Sequence, residues 1–386
     1  MDNIIYFDNA ATTYPKPEEV YTFMDKYYRE FGVNVGRGQY TTASKANKIV
    51  EETRELIREL FKCSIDKKVI FTPSATEAIN IILQGINWQG EENVYITHFE
   101  HNAVLRLLYQ LKEKYNIKIN FLHTEKKPLF YDIEKIKHQF QDIKPDVVIM
   151  THASNVCGLI TPIKEITELA KVYNAQVAID CAQTAGLLDI DMKKIDADYL
   201  IFAGHKTLYG PFGIAGFLMD ERSTLKPLLY GGTGIDSANP NLPNTIPEKF
   251  EVGSLNVYAI AGLNAALKWI NKIGRENIYK KEKEMTTSLI TCLESFDNIR
   301  VITASDAEKQ IGVVSCVFEG YGSDIIGQVF DQYNIAVRTG LHCAPEAHRF
   351  LGTFPGGTVR LSLGYFNSKE DITKLHNILE YIYLDS

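Results

Sequence analysis

This 386-residue chain has only six cysteines, and no two of them form a C-x-x-C pair. Cys63, Cys157, Cys181, Cys292, Cys316 and Cys343 stand alone along the sequence, which excludes the cysteine framework of a small secreted scaffold and fits reduced thiols. No apolar run approaches the roughly 18 residues that a bilayer-spanning helix needs. The opening MDNIIYFDNAATTYP has neither a basic start nor a long apolar stretch, so no signal peptide is read there and a cytoplasmic protein is expected. Basic blocks are missing too: 48 acidic residues outweigh 41 basic ones, which argues against a nucleic-acid partner. There is no internal repeat and no low-complexity tract.

What remains is a soluble globular composition long enough for two domains or one large α/β unit. Short apolar runs alternate with amphipathic segments through its middle. Strands are predicted at Val69–Phe71, Asn93–Thr97, Ile117–Leu122, Asp146–Thr151, Gln176–Asp180 and Tyr199–Phe202. Helices are predicted at Glu77–Gly85, Asn102–Tyr115 and Ile163–Tyr173. This alternation implies a largely parallel sheet with helices on both faces. After Gly253 the pattern turns to helices at Ala259–Ile273, Asn277–Ser295 and Glu370–Tyr383 with fewer strands, as in a smaller α+β domain. Residues 231–250, GGTGIDSANPNLPNTIPEKF, read as a long ordered loop near a site. The glycines of GGTGID and GRGQY lack the flanking strand and helix of a dinucleotide motif and are loops.

Ligands of an open parallel sheet gather beyond the carboxyl ends of its strands, and unusual residues fall at those places. TPSATEAIN follows the first strand, so Ser74, Ala75 and Thr76 open a helix whose free amides suit a phosphate, or form an ordinary cap completed by Glu77. THFEHNA sets His98 and His101 at the next strand end. Asp180 ends a buried run in AIDCAQ, and His205 and Lys206 follow another in IFAGHKTLYGPFG. A lysine, an acid, a histidine and a phosphate-binding turn on one sheet edge describe a pyridoxal phosphate site: the lysine forms a Schiff base, the acid keeps the pyridine nitrogen protonated and the helix end holds the phosphate.

These segments, with YFDNAATTYPKP, HASNVCG, FEVGSLN, RTGLHCAPEAH and VRLSLGYFN, make the chain resemble, nearly end to end, the class V aminotransferase-fold enzymes and within them the Suf-like cysteine desulfurases. The resemblance implies the fold type I transferase architecture: a seven-stranded, mainly parallel sheet plus a smaller C-terminal α+β domain. It divides the chain into an N-terminal arm at 1–15, a cofactor-binding domain at 16–255 and a small domain at 256–386 carrying the cysteine loop. It implies that Lys206 is the Schiff-base lysine and proton shuttle, that Asp180 pairs with the pyridine nitrogen, that Gln183 reaches the phenolic oxygen and that His101 stacks on the ring. Thr76, the Ala75 backbone and His205 would contact the phosphate, joined by Ser254 from a second subunit. Asn155 and Arg360 would hold the substrate carboxylate, with Arg338 close by; a guanidinium matches a carboxylate in two-point fashion as an ammonium does not.

In the same family Cys343 attacks the sulfur of the bound substrate and becomes a persulfide, leaving alanine. A thiolate is needed for this step, and neighbouring positive charge or an imidazole such as His342 is expected to help form it. The implied partners are L-cysteine or a related thiol or selenol amino acid, an acceptor protein or thiol and a second copy of the chain, in sulfur supply such as iron–sulfur cluster assembly. A selenocysteine lyase or another C–S lyase on the same cofactor is the alternative, and a scaffold without turnover is the reading from another class. A metal site of His342, Cys343 and His348 lacks the usual spacing and a fourth ligand.

Three stretches depart from the family pattern. Ala203 stands for a serine, which removes one phosphate contact. Gly36 and Gln39 occupy the early stretch where a histidine is expected, and Cys181 replaces a glycine. The short cysteine loop reaches little, so an acceptor is expected to enter the cleft.

Overall fold

The computed structural model describes residues 4–35, 40–235 and 238–384; Gly36 and Gln39 lie outside the described residues. Its centre is a seven-stranded sheet, ordered Lys67–Thr72, Ala215–Asp220, Tyr199–Ala203, Gln176–Asp180, Val147–Thr151, Asn93–Ile96 and Lys118–Phe121. Six strands run in one direction. Ala215–Asp220 is antiparallel to both of its neighbours, and it is the strand that the sequence pattern does not predict. It follows its partner Tyr199–Ala203 through the irregular segment 204–214 instead of a crossover helix, so no strand–helix alternation announces it. Gly216 within it is required by close approach: a Cβ there would stand 2.2 Å from the Ile70 carbonyl oxygen.

The apolar runs bury both faces of this sheet. Val148, Met150, Val177, Ile179, Leu200 and Phe202 enter one core, while Val147, Ile149, Ala178, Tyr199 and Ile201 enter the other. This alternation follows from the two-residue period of a strand, and a strand covered on both faces must be apolar throughout. The helices Ala75–Gly85 and Asn102–Tyr115 cover one face. Two long helices that the sequence reading does not isolate, Glu18–Phe31 and Thr41–Leu60, pack on the Val257–Ile273 helix. From the second of these, buried Arg54 pairs with Glu251 at 2.7 Å, and Glu251 also accepts the Phe71 amide at 2.6 Å. That contact pins the segment leading to Ser254 against the sheet edge.

Beyond it, Ile299–Ile302, Val313–Phe318, Thr358–Ser362 and Arg338–Gly340 form a four-stranded antiparallel sheet in that order. Its core includes Ile5 and Phe7 from the start of the chain, because the Ile5–Tyr6 strand pairs in parallel with Ile335–Ala336. The N-terminal strap therefore runs from the small sheet across to the large one. Among the described residues no helix is long and apolar enough to cross a membrane.

Candidate active site

The carboxyl ends of the parallel strands open into a cavity of about 350 Å³. Ala75, Thr76, His101, Asn155, Asp180, Gln183, His205, Lys206, Arg338, Cys343 and Arg360 line it. Ser254 does not: it is exposed on a loop outside the cavity of the single chain. None of the described residues of the 231–250 loop reaches the cavity either, so the expected loop exists but stands apart from this site.

Lys206 sits in the turn after the Tyr199–Ala203 strand, and its Nζ has no hydrogen-bond partner among the described residues. Burial lowers its pKa, with the attraction of Asp180 opposing the shift. An amine so placed loses its proton more readily than a surface lysine does. Asp180 ends its strand 6 % exposed, one carboxylate oxygen accepting the Ala182 amide at 2.9 Å. At the first helix, Ser74 caps the chain by accepting from the Glu77 amide at 3.2 Å. The ordinary cap is thus present, and the amides of Ala75 and Thr76 in the first turn lie outside the helical ladder, facing the cavity end. His205 stacks on Phe212 with 4.7 Å between ring centroids, and its Nδ1 is buried without a partner. Burial pushes its pKa down to about 3, so the ring is neutral.

His101 caps its helix and lines the cavity at once. Its Nδ1 accepts the Ala103 amide at 3.0 Å as a helix cap, while the ring lines the cavity. The proton is therefore on Nε2. His98, by contrast, is sandwiched between Phe121 and Phe350 and serves packing. Gln183 donates to the Ala10 carbonyl at 2.9 Å and fastens the N-terminal strap to the cavity wall.

The opposite wall comes from the small sheet. Arg360, 2 % exposed, donates through Nη1 to the Asn155 carbonyl at 2.9 Å, and Asn155 donates to the His342 carbonyl at 2.7 Å. Cys343 is exposed on the loop between them, and its carbonyl accepts the Asn102 amide at 2.7 Å, which ties the loop to the start of the His101 helix. His342 and Cys343 have φ of 48° and 57°. Two consecutive left-handed non-glycine residues are strained, and strain of this kind gathers at functional loops.

The expectation that His342 helps to form the thiolate is corrected here. Its Nε2 lies 2.9 Å from Thr358 Oγ1; Thr358 donates to Ser315 Oγ at 3.0 Å, and Ser315 to the Val156 carbonyl at 2.6 Å. Each hydroxyl proton is committed onward, so His342 is the donor to Thr358 and its buried Nδ1 is bare. Burial, followed by the arginine charges, pushes its pKa down to about 2. Positive charge near Cys343 comes from Arg338, Arg360 and Lys206 instead. The metal reading of His342, Cys343 and His348 has no geometry behind it: among the described residues these three do not bring their ligand atoms together, and His348 Nδ1 is engaged with Thr353 Oγ1 at 2.8 Å.

Two residues of the quoted N-terminal motif escape sequence reasoning. Asp8 pairs with both arginines. Lys16 donates from Nζ to the His205 carbonyl at 2.7 Å and to Thr13 Oγ1 at 2.8 Å, and burial lowers its pKa to about 7. A lysine between two prolines reads as a solvated turn; only the fold brings it under the Lys206 turn.

Glu100, beside His101, is wholly buried. Its Oε1 accepts from Thr97 Oγ1 at 2.7 Å and from the Thr151 amide at 2.8 Å, behind the strand end that lines the cavity. Burial pushes its carboxyl from an ordinary 4.5 up to about 8. A carboxyl whose folded-state pKa is raised contributes stability that is complete below about 4.5 and lost as pH rises through about 8. Glu100→Gln is therefore expected to flatten the fall in melting temperature between about pH 5 and pH 9. Buried Glu282, pushed up to about 8 as well, keeps part of the slope. Calorimetric melting across that range checks this; an unchanged slope would mean that Glu100 is ionised in the folded chain.

The architecture and the contents of the cavity define a class. Residues 5–375 match the family model for aminotransferase class V, and the chain belongs to that family. Within it the resemblance narrows to proteins named for one activity. A probable cysteine desulfurase from Methanothermobacter thermautotrophicus is 32% identical over 98% of this chain and 94% of its own length. Another from Halalkalibacterium halodurans is also 32% identical, over 98% of this chain and 92% of its own. Among solved structures, the apo cysteine desulfurase from Thermococcus onnurineus superposes with a TM-score of 0.91 at 28% identity, covering 98% of this chain and 94% of that one.

Proposed function

We propose that this chain is a pyridoxal phosphate-dependent cysteine desulfurase that converts L-cysteine to L-alanine and carries the sulfur on Cys343 to an acceptor. The observation that carries this reading is the meeting, in one cavity, of a half-buried lysine, a strand-end aspartate, two arginines and an exposed cysteine on a strained loop. The family match supports it independently.

The residues fit the cofactor. His205 Nδ1 is a buried atom without a partner, the first-turn amides of Ala75 and Thr76 are free for phosphate oxygens, and Lys206 is free to bond an aldehyde. When bound, the cofactor supplies an electron sink for the carbanion formed at the substrate α-carbon. Asp180 would keep its pyridine nitrogen protonated, His101 would cover the ring and Gln183 would meet the phenolic oxygen. Ala203 offers no hydroxyl to the phosphate.

Lys206 Nζ takes the α-proton of the substrate and later returns one. Asn155, Arg360 and Arg338 hold the carboxylate, so that the substrate sulfur faces Cys343. The Cys343 thiolate attacks that sulfur: an S–S bond forms, the C–S bond breaks, and its electron pair stays with the carbon fragment, which is protonated to alanine. The exposed loop leaves the persulfide open to a thiol or an acceptor protein. Ser254, outside the cavity of its own chain, supports a homodimer in which it serves the neighbouring site.

The test is alanine release from L-cysteine by the loaded enzyme with and without a reducing thiol. With thiol, turnover is continuous; without it, about one alanine per site forms and Cys343 gains one sulfur by mass. Continuous release of sulfide without thiol from an unmodified Cys343 would show a lyase instead.

A further inference from the structure

We propose that Asp8 is a specificity-determining residue: it reduces the arginine pair to one net positive charge, so that the site favours amino acids with a single acid group over those with a second one on the side chain. This inference rests on the reading of Arg360 and Arg338 as holders of the substrate carboxylate.

Arg338 and Arg360 are direct cross-strand partners in adjacent antiparallel strands. Like charges placed opposite each other destabilise a sheet. Asp8 lies between them. Arg338 donates to it from Nε at 3.2 and 3.1 Å and from Nη2 at 2.9 Å, and Arg360 donates from Nη2 at 2.8 Å. Arg360 keeps its Nε buried and without a partner, a donor still to be used.

The carboxylate is held in place by its own backbone. Ser362 donates its amide to the Phe7 carbonyl at 2.7 Å, and Asn9 donates to the Ser362 carbonyl at 3.3 Å, so residue 8 is bridged on both sides to the strand that carries Arg360. The charged side chains lining the cavity are Lys206, Asp180, Arg338 and Arg360. Lys206 faces Asp180, and Asp8 offsets one guanidinium from behind. One positive charge is left, which matches the single carboxylate of L-cysteine with its uncharged thiol. Without Asp8 both guanidiniums, the buried Arg360 and the half-exposed Arg338, would stand unopposed, and a dianion would gain more from them than a monoanion would.

Calorimetric binding of propionate and of succinate to the loaded enzyme separates the cases. Succinate is expected to bind the wild type no more tightly than propionate. In Asp8→Asn, which keeps the size and a hydrogen-bonding oxygen, the preference is expected to shift toward succinate by about tenfold or more, about 1.4 kcal/mol. Asp8→Glu keeps the charge and is expected to keep the wild-type ratio. If Asp8→Asn does not fold, Arg338→Gln shifts the ratio the other way. An unchanged ratio in the folded variant overturns the role of Asp8. Propionate binding that Arg360→Lys leaves intact overturns the carboxylate reading itself.

Discussion

Lys206→Ala is expected to lower alanine formation by at least about a thousandfold, because one side chain supplies both the covalent anchor and the moving proton. A positioned acid–base group alone is worth about 10²- to 10⁴-fold. Lys16, held under the Lys206 turn, does not replace it, because its Nζ is committed to the His205 carbonyl and Thr13. The fold should not suffer, since the change removes a buried amine that has no partner and whose burial already disfavours its charge. The melting temperature of the apo protein is therefore expected to be equal or higher. The checks are alanine quantification with excess cofactor and thermal unfolding without it. Turnover above about one per cent of wild type would move the proton-transfer role to another group.

Cys343→Ala is the second large effect. Sulfur transfer is expected to fall at least about a hundredfold, while propionate binding and the spectrum of the bound cofactor stay as in the wild type. Cys343 is exposed and its side chain makes no packing contact that the fold depends on, so the loss belongs to chemistry. Its backbone allows a companion test. At φ of 57° a side chain is strained, and Cys343→Gly is expected to raise stability by about 1 kcal/mol while being as inactive as Cys343→Ala. A cysteine kept where glycine would be more comfortable is the pattern of a residue retained for reactivity. Equal alanine release by wild type and Cys343→Ala would remove it from the reaction.

Much of the site was legible because each component sits where a local pattern changes. An apolar run that ends in Asp180, or that feeds His205 and Lys206, places charge at the carboxyl end of a buried strand, which a two-residue period and the rule for open parallel sheets suffice to locate. Ala75 and Thr76 follow from a strand that meets a helix start in the same way. Cys343 is set apart among six cysteines by the family resemblance, and the structure leaves it exposed while Cys157, Cys181, Cys292 and Cys316 are buried.

The charge state of His342 was not legible. It depends on a relay through Thr358, Ser315 and Val156, which only the small sheet assembles against the large domain. The reversed Ala215–Asp220 strand was hidden because the irregular segment 204–214 that leads into it carries no periodicity of its own.

By itself, then, the sequence determined the strand–helix alternation, the sheet edge where the cavity opens, and the placing of Asp180 and Lys206 at strand ends, since all of these arise from neighbours a few positions apart. Only the tertiary structure decided how Asp8 meets Arg338 and Arg360 across 330 and 352 residues of chain. It also set Lys16 beneath the turn of Lys206. Such contacts come from pairing the first strand of the chain with Ile335–Ala336 and from the bridge of Asp8 to Ser362, and a register between segments so far apart leaves no mark on either one.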